Sequence, residues 1–453
     1  VKDIIDQCNG NLIIGDINKE CIDFSTDTRK IKSGDVYIGL KGEKFDGSKF
    51  YQQALEAGAS VCILQNIEID NKTKNTYSDR TIVIVEDTLK ALQKIAKYKR
   101  SKYDIPVIAI TGSVGKTSTK DIIASVVSTK YNVLKTEGNF NNHIGVPLTV
   151  LRLKKHDAMV VEMGMNNLGE ISLLTDIAKP TIAVITNVGT AHIGNLGSRE
   201  NILKAKLEIL EGLSKDGTLI INNDNDMLHM WNEKNKTYKV LDFGIENNSN
   251  LMAKDIAIDS TYSQYKIVEN DKEFNIEVPI ASKVFIYNSL SAICVGKLLN
   301  IDMSKIIEGI KNFELTKNRM EIKSINGITI INDCYNANFD SMKASIESLA
   351  KMDGNRKIAI LGDMLELGEF SKKLHSDIGE EVYNNNIDIL FIVGEESKNI
   401  AESAKKKGMK KNNIFVLNNN EEVINLIAKI KEKGDCILIK ASNGMHFKEI
   451  VDG

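Results

Sequence analysis

Short apolar runs and amphipathic stretches alternate along most of the chain. The runs "VIAIT", "AMVVEMG", "IAVITNVG" and "GTLIINND" in the middle of the chain are typical of buried strands. Between them lie stretches such as "TSTKDIIASVVSTK", whose apolar residues recur with helical spacing. Alternation of this kind predicts parallel strands joined by crossover helices.

The pattern changes character twice along the chain. The first part has short strand-like pieces ("DVYIGL", "SVCIL", "TIVIVED"), a helix at "SKFYQQALEAGA", and a basic amphipathic helix that we interpret as a connector. The last part repeats strand signals at "ITIINDCY", "RKIAILGD", "IDILFIVG", "NIFVL" and "DCILIKAS", whereas "SQYKIVENDKEFNIEVPI" in the middle favours a β-hairpin. We therefore predict an α/β protein of three domains: an N-terminal α/β domain (1–103), a central parallel-sheet domain (104–315) and a C-terminal Rossmann-like α/β domain (316–453).

The composition limits the class of protein. A chain of 453 residues accommodates three domains of about 150 residues, and 42% hydrophobic with 26% charged residues is typical of a globular protein. A formal net charge of −2 gives no electrostatic reason to bind nucleic acid. No apolar run approaches the roughly 20 residues that span a bilayer. We expect small-molecule substrates, no nucleic acid and no membrane insertion.

Cysteine usage and the first residues bear on the compartment. The six cysteines include no C-x-x-C pair, which argues against a zinc site or a disulfide framework and favours a reducing environment. The opening residues "VKDIIDQCNGNL" carry acids where a signal peptide has a basic end. The sequence therefore predicts a cytoplasmic protein.

"VIAITGSVGKTSTKDII" nearly matches a phosphate-binding loop. The usual pattern is G-x-x-x-x-G-K-S/T, and Ile110 stands where its first glycine is expected. A strand, a glycine turn and a helix follow one another in the required order, which favours a nucleotide site over a simple turn with a solvent-facing lysine. The predicted loop comprises Thr111, Gly112, Ser113, Val114, Gly115, Lys116, Thr117 and Ser118. We therefore predict that the central domain is a P-loop ATPase-type parallel-sheet domain.

Three further residues of the middle region are candidates for chemistry. Glu162 follows a predicted strand, and it either holds a metal near the phosphates or is a solvated strand-end acid. His192 lies in a glycine-flanked loop, where a metal ligand and an ordinary histidine are both possible. Spacing alone makes Lys206 a solvated lysine on an amphipathic helix.

The last region places polar residues between strands and helices. Such clusters bind a ribose or orient a nucleophile, although each residue separately fits a turn or a helix cap equally well. They are Asp333, Tyr335, Asn336 and Asn338 after one strand, and Asp363 and Glu366 after another.

Taken together these stretches resemble the Mur ligase family. The short loop "TGSVGKTSTK" is that family's own form, which accounts for the missing glycine. "TEGNFNNHIGVPLTVL", "NVGTAHIGNLGSRENILKAKLEIL" and "STDTRKIKSGDVYIGLKGEKFDGSKFYQQALEAGA" are also similar to family segments, and the matches run from about Ser25 to about Val451. "YNANFDSMKAS" and "LGDMLELGE" are the stretches most specific for one member of the family.

The resemblance implies an ATP-dependent amide ligase. It would join D-alanyl-D-alanine to UDP-N-acetylmuramoyl-tripeptide through an acyl phosphate, the last cytoplasmic peptide-adding step of peptidoglycan precursor synthesis. The N-terminal domain would bind the UDP-linked substrate, and a monomer is expected. The sequence leaves open whether the third residue of the peptide is diaminopimelate or lysine.

The resemblance also implies roles for individual residues. Lys116, His192 and Lys206 would be catalytic: Lys116 would neutralise phosphates, Thr117 and Glu162 would hold one magnesium ion, and His192 would bind a second. Lys206 matches a lysine that relatives carry as a carbamate, which would turn a cation into an anionic metal ligand.

Further positions match binding residues of the family. The implied nucleotide contacts are Asn288, Arg319 and Asp333; the implied uridine-pocket residues are Ser25, Thr26, Asp27 and Arg29; and the other implied substrate residues are Asn139, Asn141, Asn142, Tyr335, Asn336 and Asn338. The sequence departs from the family pattern at Lys283 and Val284, and at Asn443 and His446.

Two kinds of alternative remain open at this stage. One is another ligase of the same fold, either the enzyme that adds the third peptide residue or a folylpolyglutamate synthase-like ligase. The other is a nucleotide-gated binding protein that has lost ligation. Because the phosphate loop and Arg319 fall in different predicted domains, we also expect ATP to draw the last domain inwards.

Overall fold

A computed structural model describes residues 1–453. The chain forms three α/β regions, each with its own main sheet, as the sequence predicts. The main strands fall on the predicted apolar runs because β-branched and aliphatic residues fill both faces of a buried sheet.

The N-terminal region holds a five-stranded sheet in the order β1-β5-β4-β3-β2, in which only β1 is antiparallel to its neighbour. Its strands are β1 (Asn11–Ile14), β2 (Phe24–Ser25), β3 (Val36–Ile38), β4 (Val61–Leu64) and β5 (Thr81–Ile84). Its helices are α1 (Lys2–Cys8), α2 (Tyr51–Glu56), α3 (Asn71–Thr76) and α4 (Thr88–Ser101). Helix α4 is the predicted connector, and Arg100 at its end donates to the carbonyl oxygens of Ala178 and Lys179 in the central region.

The central region is built on a seven-stranded parallel sheet in the order β12-β11-β10-β9-β6-β8-β7. Its strands are β6 (Val107–Thr111), β7 (Val133–Lys135), β8 (Ala158–Glu162), β9 (Ile182–Ile185), β10 (Thr218–Asn222), β11 (Lys239–Gly244) and β12 (Leu251–Met252). Its helices are α5 (Lys116–Ser128), α6 (Gly145–Leu151), α7 (Glu170–Ala178), α8 (Ile193–Leu196), α9 (Arg199–Leu207), α10 (Asp226–Lys234), α11 (Lys283–Leu298) and α12 (Met303–Lys311). Because the chain leaves β6 towards both edges of the sheet, a crevice forms at the carboxyl ends of β6, β8 and β9.

A small antiparallel sheet accompanies the central region. It contains β13 (Lys254–Ile258), β14 (Ser263–Glu269) and β15 (Lys272–Val278). Strands β14 and β15 are the predicted β-hairpin, which the structure confirms. Apolar residues of this sheet pack with helices α5, α11 and α12 in one core.

The C-terminal region has a six-stranded sheet in the order β16-β17-β21-β18-β19-β20, in which only β16 is antiparallel. Its strands are β16 (Glu321–Ile325), β17 (Ile328–Asn332), β18 (Arg356–Gly362), β19 (Ile389–Val393), β20 (Ile414–Leu417) and β21 (Asp435–Lys440). Its helices are α13 (Phe339–Lys351), α14 (Ser371–Asn384), α15 (Lys398–Lys407), α16 (Asn420–Ile430) and α17 (Lys448–Asp452).

Single 3-10 turns complete the secondary structure, at Thr28–Lys30, Gly47–Phe50, Glu208–Glu211, Gly368–Phe370, Lys411–Asn413 and Asn443–Met445. The predicted helix at "SKFYQQALEAGA" is therefore a 3-10 turn followed by the short helix α2. None of the helices combines the length and the apolar character that crossing a membrane requires.

The central and C-terminal regions meet at the carboxyl ends of their sheets. Asp340 at the start of α13 accepts hydrogen bonds from the backbone N–H and the hydroxyl of Thr190, at 2.7 and 2.8 Å. Nearby, the N–H of Gly194 donates to the carbonyl oxygen of Glu366 at 3.2 Å. Loops that follow the strands of both sheets therefore face one another.

Candidate active site

A cavity of about 450 Å³ lies between the central and C-terminal regions. The loops after β6, β8 and β9 form one wall, and the loops after β17, β18 and β21 form the other. Both crevices expected from the two sheet topologies therefore open into one space. Polar side chains and glycines dominate the lining, which suits a charged ligand more than an apolar one.

The phosphate loop is held in shape by its neighbours. The side-chain oxygen of Asn187 accepts from the N–H groups of Ser113 and Val114 at 3.1 and 2.9 Å, and the Thr186 hydroxyl donates to the Val114 carbonyl at 2.6 Å. Gly115, with φ 84°, caps helix α5, which begins at Lys116. The unpaired N–H groups and positive dipole end of α5 therefore point into the cavity.

Ile110 belongs to the strand and not to the loop. Its side chain is buried in β6, where Ile110 pairs with Glu162 of β8 and with Val184 of β9. The loop thus begins at Gly112, and Thr111, predicted as a loop residue, is the last residue of β6. The apolar residue at the place of the usual glycine packs in the core of the sheet.

Glu162 lies beneath the loop and is only 1% exposed. One carboxylate oxygen accepts from the Thr117 hydroxyl at 2.8 Å, and the other accepts from the Asn141 amide at 2.8 Å. The interpretation of Glu162 as a solvated acid is wrong, because these two donors compensate its removal from water.

Lys206 is also 1% exposed, at the end of helix α9. Its interpretation as a solvated lysine is likewise wrong. Burial drives the pKa of its amine well below the ordinary value, and the positive charge of Lys116 acts in the same direction. The other fully buried lysines, Lys120 and Lys440, pair with Asp121 and Asp333, whereas Lys206 forms no ion pair.

Lys116 itself points back along the loop. Its ammonium donates to the Gly112 carbonyl at 2.7 Å. Burial and the nearby guanidinium of Arg319 lower its pKa, while Glu162 opposes them. Because the Lys116 ammonium has no carboxylate hydrogen-bonded to it, it is available to bind an anionic ligand.

His192 reaches across the boundary between the two regions. Its Nδ1 lies 2.7 Å from Oε2 of Glu366, which is carried by the loop after β18. This contact lowers the pKa of the Glu366 carboxyl. Both residues have left-handed backbones, with φ 63° and 64°.

Asp333 and Arg319 organise the C-terminal wall. The carboxylate of Asp333 accepts from the Met320 N–H at 3.1 Å and the Ser345 hydroxyl at 2.7 Å, and it forms an ion pair with Lys440. The guanidinium carbon of Arg319 lies 3.9 Å from the ring centroid of Tyr335, a cation–π contact. Its Nε is buried without a hydrogen-bond acceptor.

Asn288 lies on helix α11 behind the phosphate loop. A Cβ added to Gly115 would lie 3.1 Å from its side-chain oxygen, so the amide and the loop are in close approach. The buried Nδ2 of Asn288 has no acceptor in the protein, although Asn288 does not itself line the cavity. Two residues that precede Asn288 depart from the family pattern. Lys283 pairs with Glu246 at 2.6 Å, and Val284 lines the cavity.

The cavity brings together many of the sequence-predicted residues. They are Ser113, Val114, Gly115, Lys116, Thr117, Ser118, Asn139, Asn141, Asn142, Glu162, His192, Arg319, Asp333, Tyr335, Asn336 and Asn338. Asn338 also caps α13 by accepting from the Ser341 N–H, so it is both a helix cap and a residue of the cavity lining. Thr111, Gly112, Lys206 and Asn288 lie behind the lining and do not contribute to it.

The four residues assigned to a uridine pocket lie elsewhere. Ser25 ends β2, and Thr26, Asp27 and Arg29 follow it in the N-terminal region, outside this cavity. Asp27 caps a 3-10 turn and pairs with Arg29 at 2.9 Å, and the Arg29 contact lowers the pKa of Asp27 to about 2.

Several lining residues escaped the sequence analysis. Lys440 is the main one: it ends the apolar run of β21, is 2% exposed, and pairs with Asp333. The sequence did contain a signal for Lys440, because a charged residue at the end of an otherwise apolar strand indicates a functional position. Asn443 lines the cavity as well, whereas His446 does not.

Family profiles match each of the three regions. The Mur ligase family catalytic domain matches residues 24–100, the Mur ligase middle domain matches residues 110–296, and the Mur ligase glutamate ligase domain matches residues 318–443. The chain belongs to the Mur ligase family.

Individual relatives show which members of the family this chain resembles. The chain is 39% identical to the UDP-N-acetylmuramoyl-tripeptide–D-alanyl-D-alanine ligase of Bacillus subtilis (strain 168), over 100% of this chain and 97% of that protein. It resembles a crystal structure of MurF from Acinetobacter baumannii with a TM-score of 0.90 and 28% identity, covering 100% and 97% of the two chains. It also resembles the MurF ligase of Thermotoga maritima in complex with ADP, with a TM-score of 0.83 and 28% identity over 95% and 96%.

Proposed function

We propose that this chain is an ATP-dependent ligase that joins D-alanyl-D-alanine to UDP-N-acetylmuramoyl-tripeptide in peptidoglycan precursor synthesis. The observation that supports this proposal most strongly is that the phosphate loop and the C-terminal wall with Arg319 and Asp333 line one cavity. Full-length similarity to the Bacillus subtilis ligase favours this activity over the third-residue ligase and the folylpolyglutamate synthase-like alternative.

The reaction converts a poor electrophile into a good one. A carboxylate oxygen of the tripeptide attacks the γ-phosphorus of ATP, ADP leaves, and an acyl phosphate forms. The amine of D-alanyl-D-alanine then attacks the acyl carbon, inorganic phosphate departs with the carboxylate oxygen, and the amine loses a proton. Negative charge spreads over the transferring phosphoryl group, so cations fixed in place lower the barrier.

The cations that this chain supplies come from both walls. Lys116 and the N-terminus of α5 lie on the central side. Arg319 lies on the C-terminal side, and its interaction with Tyr335 fixes the plane of the guanidinium. The proposal assigns nucleotide contacts to these residues, to Asp333 and to Asn288, whose amide lacks a partner in the protein.

Magnesium fits the oxygen donors under the phosphate loop. Mg²⁺ prefers one or two carboxylates together with substrate phosphates to an all-protein cage. Glu162 and the hydroxyl of Thr117 meet that description, and no cluster of three or more His, Cys, Asp or Glu side chains with metal-binding placement occurs in the chain. We assign one ion to Thr117 and Glu162 and a second to His192. Bound Mg²⁺ would supply Lewis-acid stabilisation of phosphate charge.

Lys206 fits a carbamate for a related reason. Its buried amine has no anionic partner, and burial favours the neutral form that attacks carbon dioxide. A new N–C bond forms and one proton leaves, so a buried neutral amine becomes an anion with two oxygen ligands. Carbon-13 NMR of protein equilibrated with labelled bicarbonate should show a carbamate signal that Lys206→Ala removes.

The remaining assignments concern substrates and organisation. The proposal gives the UDP moiety to the N-terminal domain and the peptide to both walls of the cavity, within domains spanning 1–103, 104–315 and 316–453. It includes a cytoplasmic location, because ATP and nucleotide-linked precursors are the reactants, and a monomer. The proposed UDP contacts are Ser25, Thr26, Asp27 and Arg29, and the proposed peptide contacts are Asn139, Asn141, Asn142, Tyr335, Asn336 and Asn338.

The proposal is tested by phosphate release from ATP and Mg²⁺ with UDP-N-acetylmuramoyl-tripeptide, with D-alanyl-D-alanine added or withheld. The tripeptide is supplied in its diaminopimelate and lysine forms, and the product is weighed by mass spectrometry. Release that requires the dipeptide and adds it to the product supports the proposal. Release that responds to a single amino acid indicates a sister ligase, and no release indicates a binding protein.

A further inference from the structure

We propose that Glu366 is a positioning residue that orients His192 as a metal ligand, so that this part of the metal site is completed only when the C-terminal domain docks. The inference rests on the metal role proposed for His192. It assigns to a C-terminal side chain a contribution to an ion held by the central domain.

The hydrogen bond between the two side chains selects one ring nitrogen. Nδ1 of His192 lies 2.7 Å from a carboxylate oxygen, which can only accept, so the neutral ring carries its proton on Nδ1. Nε2 then keeps its lone pair and forms no hydrogen bond in the protein. Histidines that bind metals commonly donate their other N–H to a carboxylate, which fixes the tautomer and the ring orientation.

The backbone holds both partners in uncommon conformations. His192 has φ 63° and Glu366 has φ 64°, in the left-handed region that non-glycine residues seldom occupy. The His192 carbonyl accepts from the N–H groups of Asn195 and Leu196, which ties it to the start of α8. Two strained residues that meet across a domain boundary suggest that the contact has a function.

The loop that carries Glu366 is preformed within the C-terminal domain. We call residues 363–370 the docking loop. Asp363 accepts from the Ser397 N–H at 2.7 Å, and the Leu365 N–H donates to the Ser442 hydroxyl at 2.9 Å. Because these contacts are internal to one domain, the backbone on which Glu366 lies is held by the C-terminal domain itself.

Docking and orientation depend on different atoms. The main-chain oxygen of Glu366 accepts from the Gly194 N–H at 3.2 Å, whereas its side chain alone reaches His192. Replacing the side chain should therefore leave the loop docked and remove only the constraint on the imidazole. This separates a positioning role from a merely structural one.

The experiment measures Mn²⁺ binding by electron paramagnetic resonance, with full-length protein and a non-hydrolysable ATP analogue. A fluorescence distance between labels on the central and C-terminal domains reports docking. The variants are Glu366→Gln, Glu366→Ala and His192→Ala. The matched control is Glu369→Gln, an exposed acid of the same loop that forms no hydrogen bond or ion pair.

We expect His192→Ala to weaken one Mn²⁺ binding step and Glu366→Ala to weaken the same step by about tenfold or more. Glu366→Gln, which keeps an uncharged acceptor, should fall between Glu366→Ala and wild type. The inter-domain distance should stay at its wild-type value in both Glu366 variants, and Glu369→Gln should bind Mn²⁺ normally.

Three results would overturn the inference, and they are distinguishable. If His192→Ala weakens Mn²⁺ binding but both Glu366 variants bind normally, Glu366 does not orient the ligand. If His192→Ala itself binds Mn²⁺ normally, the failure lies in the metal role proposed for His192. Loss of docking in both Glu366 variants would also contradict it, by showing that the side chain serves the interface.

Discussion

Buried polar side chains at the cavity show what sequence spacing cannot reveal. Lys206 and Lys440 occupy positions that read as an ordinary helical lysine and the end of a strand, yet both are almost fully buried. Burial depends on neighbours that are distant in the chain. Asp333 and Lys440, for example, are 107 positions apart in the sequence. The phosphate loop was predictable because its glycines, lysine and helix are contiguous.

The Asp333–Lys440 pair should matter for stability as well as for the site. Lys440→Met leaves the largely buried Asp333 carboxylate without its cation, so we expect the free energy of unfolding to fall by about 3 kcal/mol. Asp333→Asn combined with Lys440→Met should recover most of that loss, because no unpaired charge remains. Denaturant titration without ligands measures both.

The control for that series is Lys448→Met. Lys448 pairs with Asp452 near the protein surface, where both side chains are more than half exposed, so its removal should change stability by at most about 0.5 kcal/mol. If Lys440→Met proves as mild as Lys448→Met, the buried pair does not have the importance assigned to it.

His375 gives a pH dependence at the same scale. Its Nδ1 donates to the Ser371 carbonyl at 2.8 Å, and its Nε2 accepts from the Met364 N–H at 3.0 Å, so the folded protein requires the neutral ring. Burial lowers its pKa below the ordinary 6.5, although Ser371, Asp363 and Glu396 oppose the shift. The stability that the neutral ring contributes is present above pH 6.5 and is lost as the pH falls below it.

Thermal unfolding between pH 8 and 5 tests this assignment. Part of the wild-type decline in Tm below pH 6.5 should be absent from His375→Gln, whose overall Tm is lower. His143→Gln, at an exposed histidine, should keep the wild-type slope. Equal slopes in all three proteins would show that another group is responsible.

At the scale of elements, most buried strands and the edge strand β20 ("NIFVL") were predictable, whereas β11 and several edge strands, among them β2, β12 and β16, were not. Strand β2 has two residues and β12 has two, which is too short for an alternating pattern. Strand β16 pairs antiparallel at the sheet edge, and its mostly exposed residues "EIKSI" show little apolar signal. Central strands are apolar on both faces, so their sequences stand out.

Helix α8 and the docking loop meet through a glycine, which makes the contact testable. A Cβ on Gly194 would lie 2.6 Å from the Glu366 carbonyl oxygen and 2.7 Å from the Gly368 nitrogen, both backbone atoms. Gly194→Ala should therefore keep the loop away and misplace the C-terminal wall, with ligation slowed by about 100-fold.

The inter-domain fluorescence distance and the ligation rate measure the effect of Gly194→Ala. Asn195→Ala, at an exposed neighbour on the same helix, is the control and should behave as wild type. Docking and activity that survive Gly194→Ala would contradict the role given to this contact.

At the scale of the whole molecule, three domains and their order followed from the sequence, but the shared cavity did not. Its walls come from loops after six strands of two sheets. No local pattern states how two separately folded sheets face each other. The family resemblance placed Arg319 and Asp333 of the C-terminal domain at the nucleotide site of the central domain, but it did not identify Lys440.

Ligand-driven closure is the prediction at this scale. The nucleotide contacts that we propose from two domains would favour the docked arrangement, so an ATP analogue with the UDP-linked substrate should shift the population towards it. Small-angle scattering should then show a smaller radius of gyration than for the free chain. An unchanged radius together with an unchanged fluorescence distance would exclude closure.

The most direct test of the central claim follows an oxygen atom. UDP-N-acetylmuramoyl-tripeptide carrying a heavy oxygen isotope in its terminal carboxylate is incubated with ATP, Mg²⁺, D-alanyl-D-alanine and the protein. An acyl phosphate predicts that one labelled oxygen appears in the released phosphate while the dipeptide joins the peptide. Product formation with unlabelled phosphate, or release of phosphate without the dipeptide-extended product, would contradict the account.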